Sequence, residues 1–488
     1  MDKISKLEPV LLWSFFEEIC SIPRPSKKEE KIRNYLIEFA KKRKLEYKID
    51  KAGNVLLKKP ATSGREKINT LVLQSHLDMV GEKNSETRHD FENDPIQAYI
   101  DGEWVKAKGT TLGADDGIGI AAQLAVLESD TLQHGPIECL FTVDEETGLS
   151  GANSLEKGFF EGKILLNLDS EDEGEVFIGC SGGNDTTAVF TFKHKKPPSR
   201  YLSFEILVKG LKGGHSGDEI HKGLGNSIKV LTRFLWNASR DFDARIAHFD
   251  GGNLRNAIAR EAKAIFTIPP EQYEGCKNYF ESYYANVREE LKVTEPGLIM
   301  SFNRSDEPKS VINRKTQLRL LASLYACPHG VIEWSRDMPG LVETSTNLAS
   351  VKFINDNEIL VTTSQRSSVD SARKDISDRV RIIFETGKAL VSHTSGYPGW
   401  KPDTESKILK ITRKCYKDLF GIEPNVRAIH AGLECGLFLE KYPYLDMVSF
   451  GPTIRGAHSP DERLDIASTL KFWQLLLGII DKIPEENK

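Results

Sequence analysis

The pattern of apolar positions at the start of the chain predicts two amphipathic helices. The first is indicated by apolar residues at helical spacing, namely Leu11, Leu12, Phe15, Phe16 and Ile19. The residues SIPRPS interrupt it, and Ser26 with Glu29 then forms a capping-box signature, which predicts the start of a second helix. The apolar positions of that second helix are Ile32, Leu36 and Phe39.

Between residues 70 and 168, short apolar runs alternate with a helical stretch. Strands are predicted at residues 70–73, 137–143 and 164–168, and a helix is predicted at residues 118–127. Alternation of this kind favours an α/β unit with a mainly parallel sheet flanked by helices. We expect this unit to begin with residues 1–190.

The pattern changes after a charged linker that contains Pro197 and Pro198. Residues 202–208 alternate between apolar and polar side chains, as a half-exposed strand does, and further strands are predicted at residues 264–268, 317–324 and 359–363. A helix is predicted at residues 225–238. We interpret residues 191–394 as an inserted α+β domain.

After the insertion, the pattern of the first unit returns. Helices are predicted at residues 406–419 and 466–480, and an apolar strand is predicted at residues 447–450. The prediction is therefore one α/β domain split into residues 1–190 and 395–488, with the α+β domain inserted between the two parts.

The composition excludes several classes of protein. The 66 basic and 71 acidic residues are interspersed and leave a net charge of −5, so neither a nucleic acid nor a membrane is expected as a partner. The first twenty residues lack the apolar core of a signal peptide, and a cytoplasmic location is expected. The seven cysteines form no C-x-x-C pair, which argues against a disulfide framework and against a cysteine-rich zinc site.

Histidine and aspartate residues follow the first predicted strands. His76 and Asp78 project from the same face at the carboxyl end of a strand, where ligands of α/β sheets bind. Taken alone, such a pair is more often a turn or a hydrogen-bonded pair than a metal site. In GTTLGADDGIG, Asp115 and Asp116 precede a helix, where one of them suits an N-cap and the other is available to bridge metal ions.

Carboxylates follow the next two strands as well. The run of Asp144, Glu145 and Glu146 indicates either a surface turn or two glutamates that strand alternation sends in different directions, one to a metal and one to a water. Asp169 begins an acidic run that lacks the spacing of an EF-hand calcium loop. His458 lies in a polar loop near the end of the chain.

Most of these segments share one order: an apolar run, then a histidine or carboxylate, then a glycine-rich turn. Each segment alone is ambiguous, but together they predict a metal centre. Imidazole and carboxylate ligands without thiolates suit zinc, or manganese or cobalt in its place. Two such ions need a bridging carboxylate, and together they can activate a water and polarise a carbonyl.

The segments resemble motifs of the M20 family of metallopeptidases, and within it those of the aminoacyl-histidine (Xaa-His) dipeptidases. The matching segments run in family order over nearly the whole chain: SHLDMV, GTTLGADDGIGIA, DEETGLSGA, LLNLDSEDEGEVFIGCSGG, KGLKGGHSGDEI, HAGLECGL and GAHSPDERL. The resemblance implies a zinc-exopeptidase-like catalytic domain with an inserted lid, two zinc ions per chain, and a homodimer formed through the lid.

The resemblance also implies which residues bind the metal ions. His76 and Asp169 would bind one zinc ion. Glu146 and His458 would bind the other, and Asp115 would bridge the two.

The remaining site residues are likewise implied by the resemblance. Glu145 would be the general base, Asp78 would orient His76, and His215 in the lid would stabilise the oxyanion. Asn253 and Arg366 in the lid would bind the terminal carboxylate of the substrate. Glu434, in the HAGLECGL segment, would lie near the free amine of the substrate or have a structural role.

The implied activity is metal-dependent hydrolysis of short peptides, above all Xaa-His dipeptides of the β-alanyl-histidine type. Other activities on the same site are the removal of residues from tripeptides and the hydrolysis of N-acyl amino acids. A binding protein that keeps the fold without metal is an alternative from another class, and the intact ligand positions argue against it.

Overall fold

A computed structural model describes residues 3–484 of the chain. The chain divides into two compact units. The first unit comprises Met1–Gly179, Pro402–Ala428 and Leu433–Lys488, and the second comprises Cys180–Lys401 with the short segment Ile429–Gly432. The second unit begins earlier than the boundary expected at residue 191, because the strand Gly182–Thr191 pairs within its sheet.

The first segment of the first unit alternates helices and strands. In chain order these are α1 (Val10–Cys20), α2 (Glu30–Arg43), β1 (Glu46–Ile49), β2 (Val55–Lys59), β3 (Leu71–His76), β4 (Ala98–Asp101), β5 (Trp104–Ala107), α3 (Ala114–Glu128), β6 (Ile137–Thr142), α4 (Glu145–Gly148), α5 (Ser150–Ser154), β7 (Ile164–Asn167) and β8 (Glu175–Cys180). The two opening helices are confirmed, but the predicted capping box is wrong. Helix α2 begins at Glu30, and the Ser26 hydroxyl donates to Asp78 instead.

The second unit contains the longest strands. Its elements are β9 (Gly182–Thr191), β10 (His194–Lys195), β11 (Leu202–Lys209), α6 (Ser227–Asp241), β12 (Arg245–Gly251), β13 (Ala262–Ile268), α7 (Tyr273–Leu291), β14 (Ile299–Arg304), β15 (Val311–Ile312), α8 (Arg314–Ala326), β16 (Gly330–Trp334), β17 (Val342–Asn355), β18 (Glu358–Ser367), α9 (Asp370–Thr386) and β19 (Leu390–His393). The strand predicted at residues 317–324 is wrong. These residues lie in α8, whose buried positions Gln317, Leu320, Leu321 and Leu324 have helical spacing.

The chain then completes the first unit. The remaining elements are α10 (Lys407–Phe420), β20 (Asn425–Ile429), α11 (Glu434–Lys441), β21 (Asp446–Ser449), β22 (Ile454–Arg455), β23 (Arg463–Asp465) and α12 (Ile466–Lys482). The start of α10 is capped by Ser406, whose side chain accepts a hydrogen bond from the amide of Leu409.

The main sheet of the first unit has the strand order β1-β2-β6-β3-β7-β21-β8-β20. Its centre, from β6 to β21, is parallel, whereas β1, β2 and β8 pair antiparallel at its flanks. The residues of β3, β6 and β7 are all buried, as expected of central parallel strands covered on both faces. The carboxyl ends of the parallel strands therefore meet at one edge of the sheet.

The sheet of the second unit is antiparallel along its path, in the order β14-β11-β13-β12-β17-β18-β9-β19, with β16 paired to β17. Residues of α6, α7, α8 and α9 pack with residues of this sheet in a common apolar core. The predicted fold class, α/β with an α+β insertion, is confirmed. Within residues 3–484, none of the helices combines the length and apolarity that a membrane span needs.

Candidate metal centre and active site

The predicted metal ligands lie at the edge of the first unit's sheet where its parallel strands end. His76 is the last residue of β3, and Asp169 follows β7 closely. Glu146 lies in α4, directly after β6, and Asp115 lies in the first turn of α3. His458 comes from the loop between β22 and β23. Sites beyond the carboxyl ends of parallel strands are common in α/β sheets.

Asp115 lies between two histidines. Its Oδ1 is 3.0 Å from Nε2 of His76, and its Oδ2 is 3.2 Å from Nε2 of His458. Asp169 Oδ1 approaches the same nitrogen of His76 to 3.3 Å, and Glu146 Oε2 lies 2.9 Å from Nε2 of His458. The structure thus brings all five predicted ligands together, as two groups that share Asp115.

The chemistry of these donors fits divalent metal ions. Within the described residues, three sets bring their ligand atoms within 4.8 Å of one another: His76–Asp116–Asp169, His76–Glu145–Glu146 and Asp115–Glu146–His458. The buried Oε1 of Glu146 has no hydrogen-bond partner in the described part of the chain, which leaves a carboxylate oxygen for a cation. Histidine and carboxylate ligands without sulfur suit zinc, manganese or cobalt.

The carboxylates make the centre attractive to cations. Burial opposes protonation of His76, but Asp169, Asp115 and Asp78 raise the pKa of its imidazole well above the ordinary value. Hydrogen bonds to Asp115 and Glu146 raise the pKa of His458 to about 11. The surrounding carboxylates thus favour positive charge at each histidine, which a metal ion bound to the ring nitrogen would supply in place of a proton.

Asp116 has a different role from its neighbour. The peptide bond that joins it to Asp115 is cis, and both residues have non-helical backbone angles before the regular part of α3. Asp116 Oδ1 accepts the amide of Gly119 at 3.1 Å, and its Oδ2 accepts the amide of His76 at 3.3 Å. Asp116 therefore caps the helix, which is the role that the sequence allowed for one of the pair.

Asp78 joins the strand that carries His76 to the helix that carries the glutamates. Its Oδ1 accepts the amide of Glu145 at 3.0 Å and lies 3.4 Å from Nδ1 of His76. Its Oδ2 accepts the amide of Glu146 at 3.2 Å and the hydroxyl of Ser26 at 2.8 Å. Although burial alone would raise it, these contacts hold the pKa of the Asp78 carboxyl at about 2.

The expected strand alternation of Glu145 and Glu146 is wrong. Both residues begin the short helix α4, where Asp78 accepts their amides. Burial raises the pKa of Glu145 well above its ordinary value, which favours its uptake of a proton. Because both residues lie at the start of α4, the helix rather than a strand sets the directions of the Glu145 and Glu146 side chains.

Glu434 is fully buried at the start of α11. Its Oε2 accepts hydrogen bonds from Nε2 of Gln74 at 2.6 Å and from the hydroxyl of Thr142 at 2.8 Å. Burial raises its pKa to about 8, and the Glu434 charge in turn raises the pKa of Glu145. The nearness of Glu434 to Glu145 was not evident in the sequence, since Gln74 and Thr142 carry no motif of their own.

Sequence reasoning missed two buried charged residues that hold the loops around the centre. Arg24 donates to the backbone carbonyls of Leu77, Asp78 and Gly113. The Glu462 carboxylate accepts backbone amides of the loop that leads to Asp115. The one signal was that Glu462 belongs to the GAHSPDERL segment, where it was not singled out.

Comparison with known proteins decides the family. A sequence profile of Peptidase family M20/M25/M40 matches residues 72–482. The chain belongs to this family. The family resemblance read from the motifs is thereby confirmed, and the chain is a peptidase.

Close relatives of this M20-family peptidase cover its whole length. The cytosol non-specific dipeptidase of Escherichia coli strain K12 is 43% identical over 484 residues, which are 99% of this chain and 100% of the relative. The crystal structure of aminoacylhistidine dipeptidase from Vibrio alginolyticus is 45% identical, with a TM-score of 0.94 over 99% of both chains. A tripeptidase from Staphylococcus aureus shares the fold, with a TM-score of 0.57 at 18% identity over 98% of this chain and 99% of that one.

The second unit of this M20-family peptidase carries the three remaining predicted residues. His215 accepts the amides of Gly217 and Asp218 at Nδ1, which lies 3.4 Å from Oδ2 of Asp218. Asn253 accepts a hydrogen bond from Lys352 at 2.9 Å. His215 and Asn253 line the same pocket, which has a volume of about 890 Å³. Their contact with a substrate stays a prediction.

Arg366 is not among the residues that line that pocket, but it lies near His215, since His215 and Arg366 both lower the pKa of Asp218. It is buried, and it donates to the hydroxyl of Tyr397 at 3.0 Å, while its Nε has no partner among the described residues. The Arg366 charge also contributes, after burial, to lowering the pKa of His430 to about 3. A buried guanidinium with an unused donor suits an anionic ligand, and the carboxylate role of Arg366 stays a prediction.

Proposed function

We propose that this M20-family peptidase is a dizinc dipeptidase that cleaves short peptides, Xaa-His dipeptides above all. The observation that carries the proposal is the position of Asp115, whose two oxygens face His76 and His458. His76, Asp169 and Asp115 would hold one zinc ion, and Asp115, Glu146 and His458 the other. The names of the relatives from Escherichia coli and Vibrio alginolyticus support dipeptides as the substrate class.

The protein's own residues would move the proton. The zinc ions, when bound, supply Lewis acidity that polarises the peptide carbonyl and lowers the pKa of a water. Glu145 accepts a proton from the water while the water oxygen bonds to the carbonyl carbon of the peptide. When the C–N bond breaks, Glu145 returns that proton to the leaving amine nitrogen. Asp78 keeps Glu145 and His76 in place, because its carboxylate accepts the amide of Glu145 and its backbone carbonyl lies 3.1 Å from Nδ1 of His76.

Recognition of both ends of the substrate would restrict the length of the peptide. We assign the free amine of the substrate to Glu434, whose Oε1 is buried without a partner among the described residues. We assign the terminal carboxylate to Arg366 and Asn253, and the oxyanion to His215. In a dipeptide, amine and carboxylate each lie one residue from the scissile bond, so binding of both ends would favour dipeptides over longer chains.

A substrate panel tests this function. We expect β-alanyl-histidine and other Xaa-His dipeptides to be hydrolysed with the highest kcat/KM, ahead of dipeptides without histidine, with zinc, manganese or cobalt supplied in turn. Tripeptides should be poor substrates because one of their charged ends lies a residue further from the scissile bond. N-acetylated amino acids should be poor substrates because they lack the free amine. Faster cleavage of either class would contradict the proposal and favour the corresponding M20-type activity, and equal rates for all dipeptides would favour a broad dipeptidase.

Replacing Arg366 with lysine should raise KM for dipeptides by about 10-fold or more, because an ammonium loses the bidentate contact with a carboxylate. We expect little change in kcat, and we expect no effect on a dipeptide amide that lacks the carboxylate. Steady-state kinetics on both substrates measure the difference. The matched control is Arg379→Lys, since Arg379 is an exposed residue of the same unit paired with Asp375. An equal loss with the amide substrate would show that Arg366 has a structural role only.

Location and assembly complete the proposal. We propose a cytosolic location, which the name of the Escherichia coli relative supports. We also propose a homodimer formed through the second unit, as the motif resemblance implies. Sedimentation of the purified chain as a single species of monomer mass would contradict the dimer.

A further inference from the structure

Glu462 is a buried carboxylate with both oxygens occupied by backbone amides. Glu462 as a whole is only 2% exposed to solvent. Oε2 accepts the amides of Leu112 and Gly113 at 2.7 and 2.9 Å, and Oε1 accepts those of Ala114 and Asp115 at 2.7 and 3.3 Å. Four successive amides thus converge on one side chain, which leaves Glu462 no oxygen for direct metal binding.

The same loop is held from its other side by Arg24. This guanidinium is also 2% exposed, and it donates to the carbonyl of Gly113 and, at 3.0 and 2.7 Å, to those of Leu77 and Asp78. At Gly113, φ is +69°, and an added Cβ would lie 2.7 Å from Sδ of Met79. The path of the loop before Asp115 is therefore fixed by charged groups on both sides and by a glycine that no larger residue can replace without strain.

Glu462 also belongs to the loop that carries His458. Two backbone hydrogen bonds lie within this loop. The amide of Ser459 donates to the carbonyl of Gly456 at 3.2 Å, and the amide of Glu462 donates to the carbonyl of Ser459 at 3.0 Å. His458 itself has a φ of +62°, and its side chain is 52% exposed, so core packing does not hold it in place. The pairing of Arg455 with Arg463 holds the two ends of this loop, residues 456–462. Within it Glu462 is the buried residue, and its carboxylate is anchored on the loop of Asp115.

We propose that Glu462 is the positioning residue that assembles Asp115 and His458 into one metal site. It binds the backbone of the first ligand's loop, and it lies in the loop of the second, so the separation of the two ligands depends on this side chain. The inference rests on the proposed function, because it assumes that Asp115 and His458 share a metal ion. It predicts that Glu462 controls metal affinity without touching metal or substrate.

The test compares the full-length wild type with Glu462→Gln by titration of the metal-free chains with zinc against a chromogenic chelator. Glutamine keeps the shape but offers one acceptor oxygen, and its NH₂ group meets backbone N–H donors. We expect the affinity of one zinc ion, the one that Asp115 and His458 would share, to fall by about 10- to 100-fold, as for other residues that orient ligands. At saturating zinc, kcat should recover largely while KM for β-alanyl-histidine stays within about twofold of wild type, since Glu462 makes no substrate contact.

Glu138 provides a matched control. It is likewise 2% exposed, and its Oε2 accepts the amides of Glu161 and Gly162 at 2.8 and 2.9 Å, but these amides carry no ligand. Glu138→Gln should lower the melting temperature without changing either zinc affinity. A loss of zinc affinity in both variants would mean that Glu462 acts only through general stability, and it would overturn the inference.

A second variant covers the case in which Glu462→Gln does not fold. Glu462→Asp keeps the charge but shortens the side chain by one methylene, so we expect a folded chain with weakened affinity for one zinc ion. Wild-type affinity for both ions in this variant, or in a folded Glu462→Gln, overturns the inference and leaves the proposed function intact. A wild-type chain that binds fewer than two ions contradicts the proposed function, and the inference with it.

Discussion

Replacing Glu145 with glutamine should lower kcat by about 10³- to 10⁴-fold, because the glutamine amide cannot take a proton from the attacking water. The variant keeps the amide hydrogen bond to Asp78, since that bond is made by the backbone. Glutamine also has the size of glutamate, so the start of α4 should be undisturbed. The measurement is kcat with β-alanyl-histidine, combined with the metal content of the same preparation, which we expect to stay at two zinc ions per chain.

The control for this variant is a glutamate in the same unit that makes no contact with the centre. Glu156 is exposed and pairs with Lys51 on the surface, so Glu156→Gln should leave kcat within about twofold, as surface ion pairs contribute little. Retention of more than a tenth of the wild-type kcat by a zinc-loaded Glu145→Gln would exclude Glu145 as the base. Loss of zinc from that variant would instead make Glu145 a metal ligand, which its set with His76 and Glu146 allows.

The proposed metal ligands could be predicted because several segments share one local pattern, although each segment alone is ambiguous. His76 and Asp169 come directly after buried strands, and parallel strands bring such positions to one edge without further information. The choice of Asp115 rather than Asp116 came from the family resemblance. The structure gives it a physical basis, since Asp116 uses its oxygens on the amides of Gly119 and His76.

The supporting residues could not be predicted in this way. Glu462 accepts the amide of Leu112, which lies 350 positions earlier in the chain, and Arg24 donates to a carbonyl 89 positions later. Contacts with backbone groups place no demand on the identity of the partner residue, so the sequence around Leu112 contains no sign of Glu462. Only the three-dimensional path of the loop shows which charged residues are buried.

Secondary structure was mistaken where a local pattern had two explanations. Residues 317–324 alternate well enough to suggest a strand, but the buried side chains of Gln317 and Leu321 are four apart, and Gln317 also bonds the backbone of Ile246 and Ala244. Ser26 and Glu29 have the spacing of a capping box, but the Ser26 hydroxyl donates a hydrogen bond to the carboxylate of Asp78. In both cases the observed local structure is supported by a tertiary contact, and the spacing of residues along the chain carries no information about such contacts.

Replacing Asp115 with asparagine should remove at least one zinc ion per chain and lower kcat by about 10³-fold or more. Asparagine offers one acceptor oxygen, and its NH₂ group would face either His76 or His458 in place of the second oxygen. The loss of the bridging charge also leaves two cations in close proximity with less compensation between them. Metal analysis after gel filtration and kcat at saturating zinc measure the two effects.

Asp116→Asn is the matched comparison, because it changes the neighbouring carboxylate in the same way. An asparagine at this position keeps an acceptor for the amide of Gly119, so the start of α3 should hold, and its NH₂ group costs only the 3.3 Å hydrogen bond from the amide of His76. We expect both zinc ions and most of the activity to remain. If Asp116→Asn loses an ion while Asp115→Asn keeps both, the ligand set is His76, Asp116 and Asp169, which also lie within reach of one ion. The centre would then have no bridge between its two histidines, and two metals could not share a ligand at Asp115.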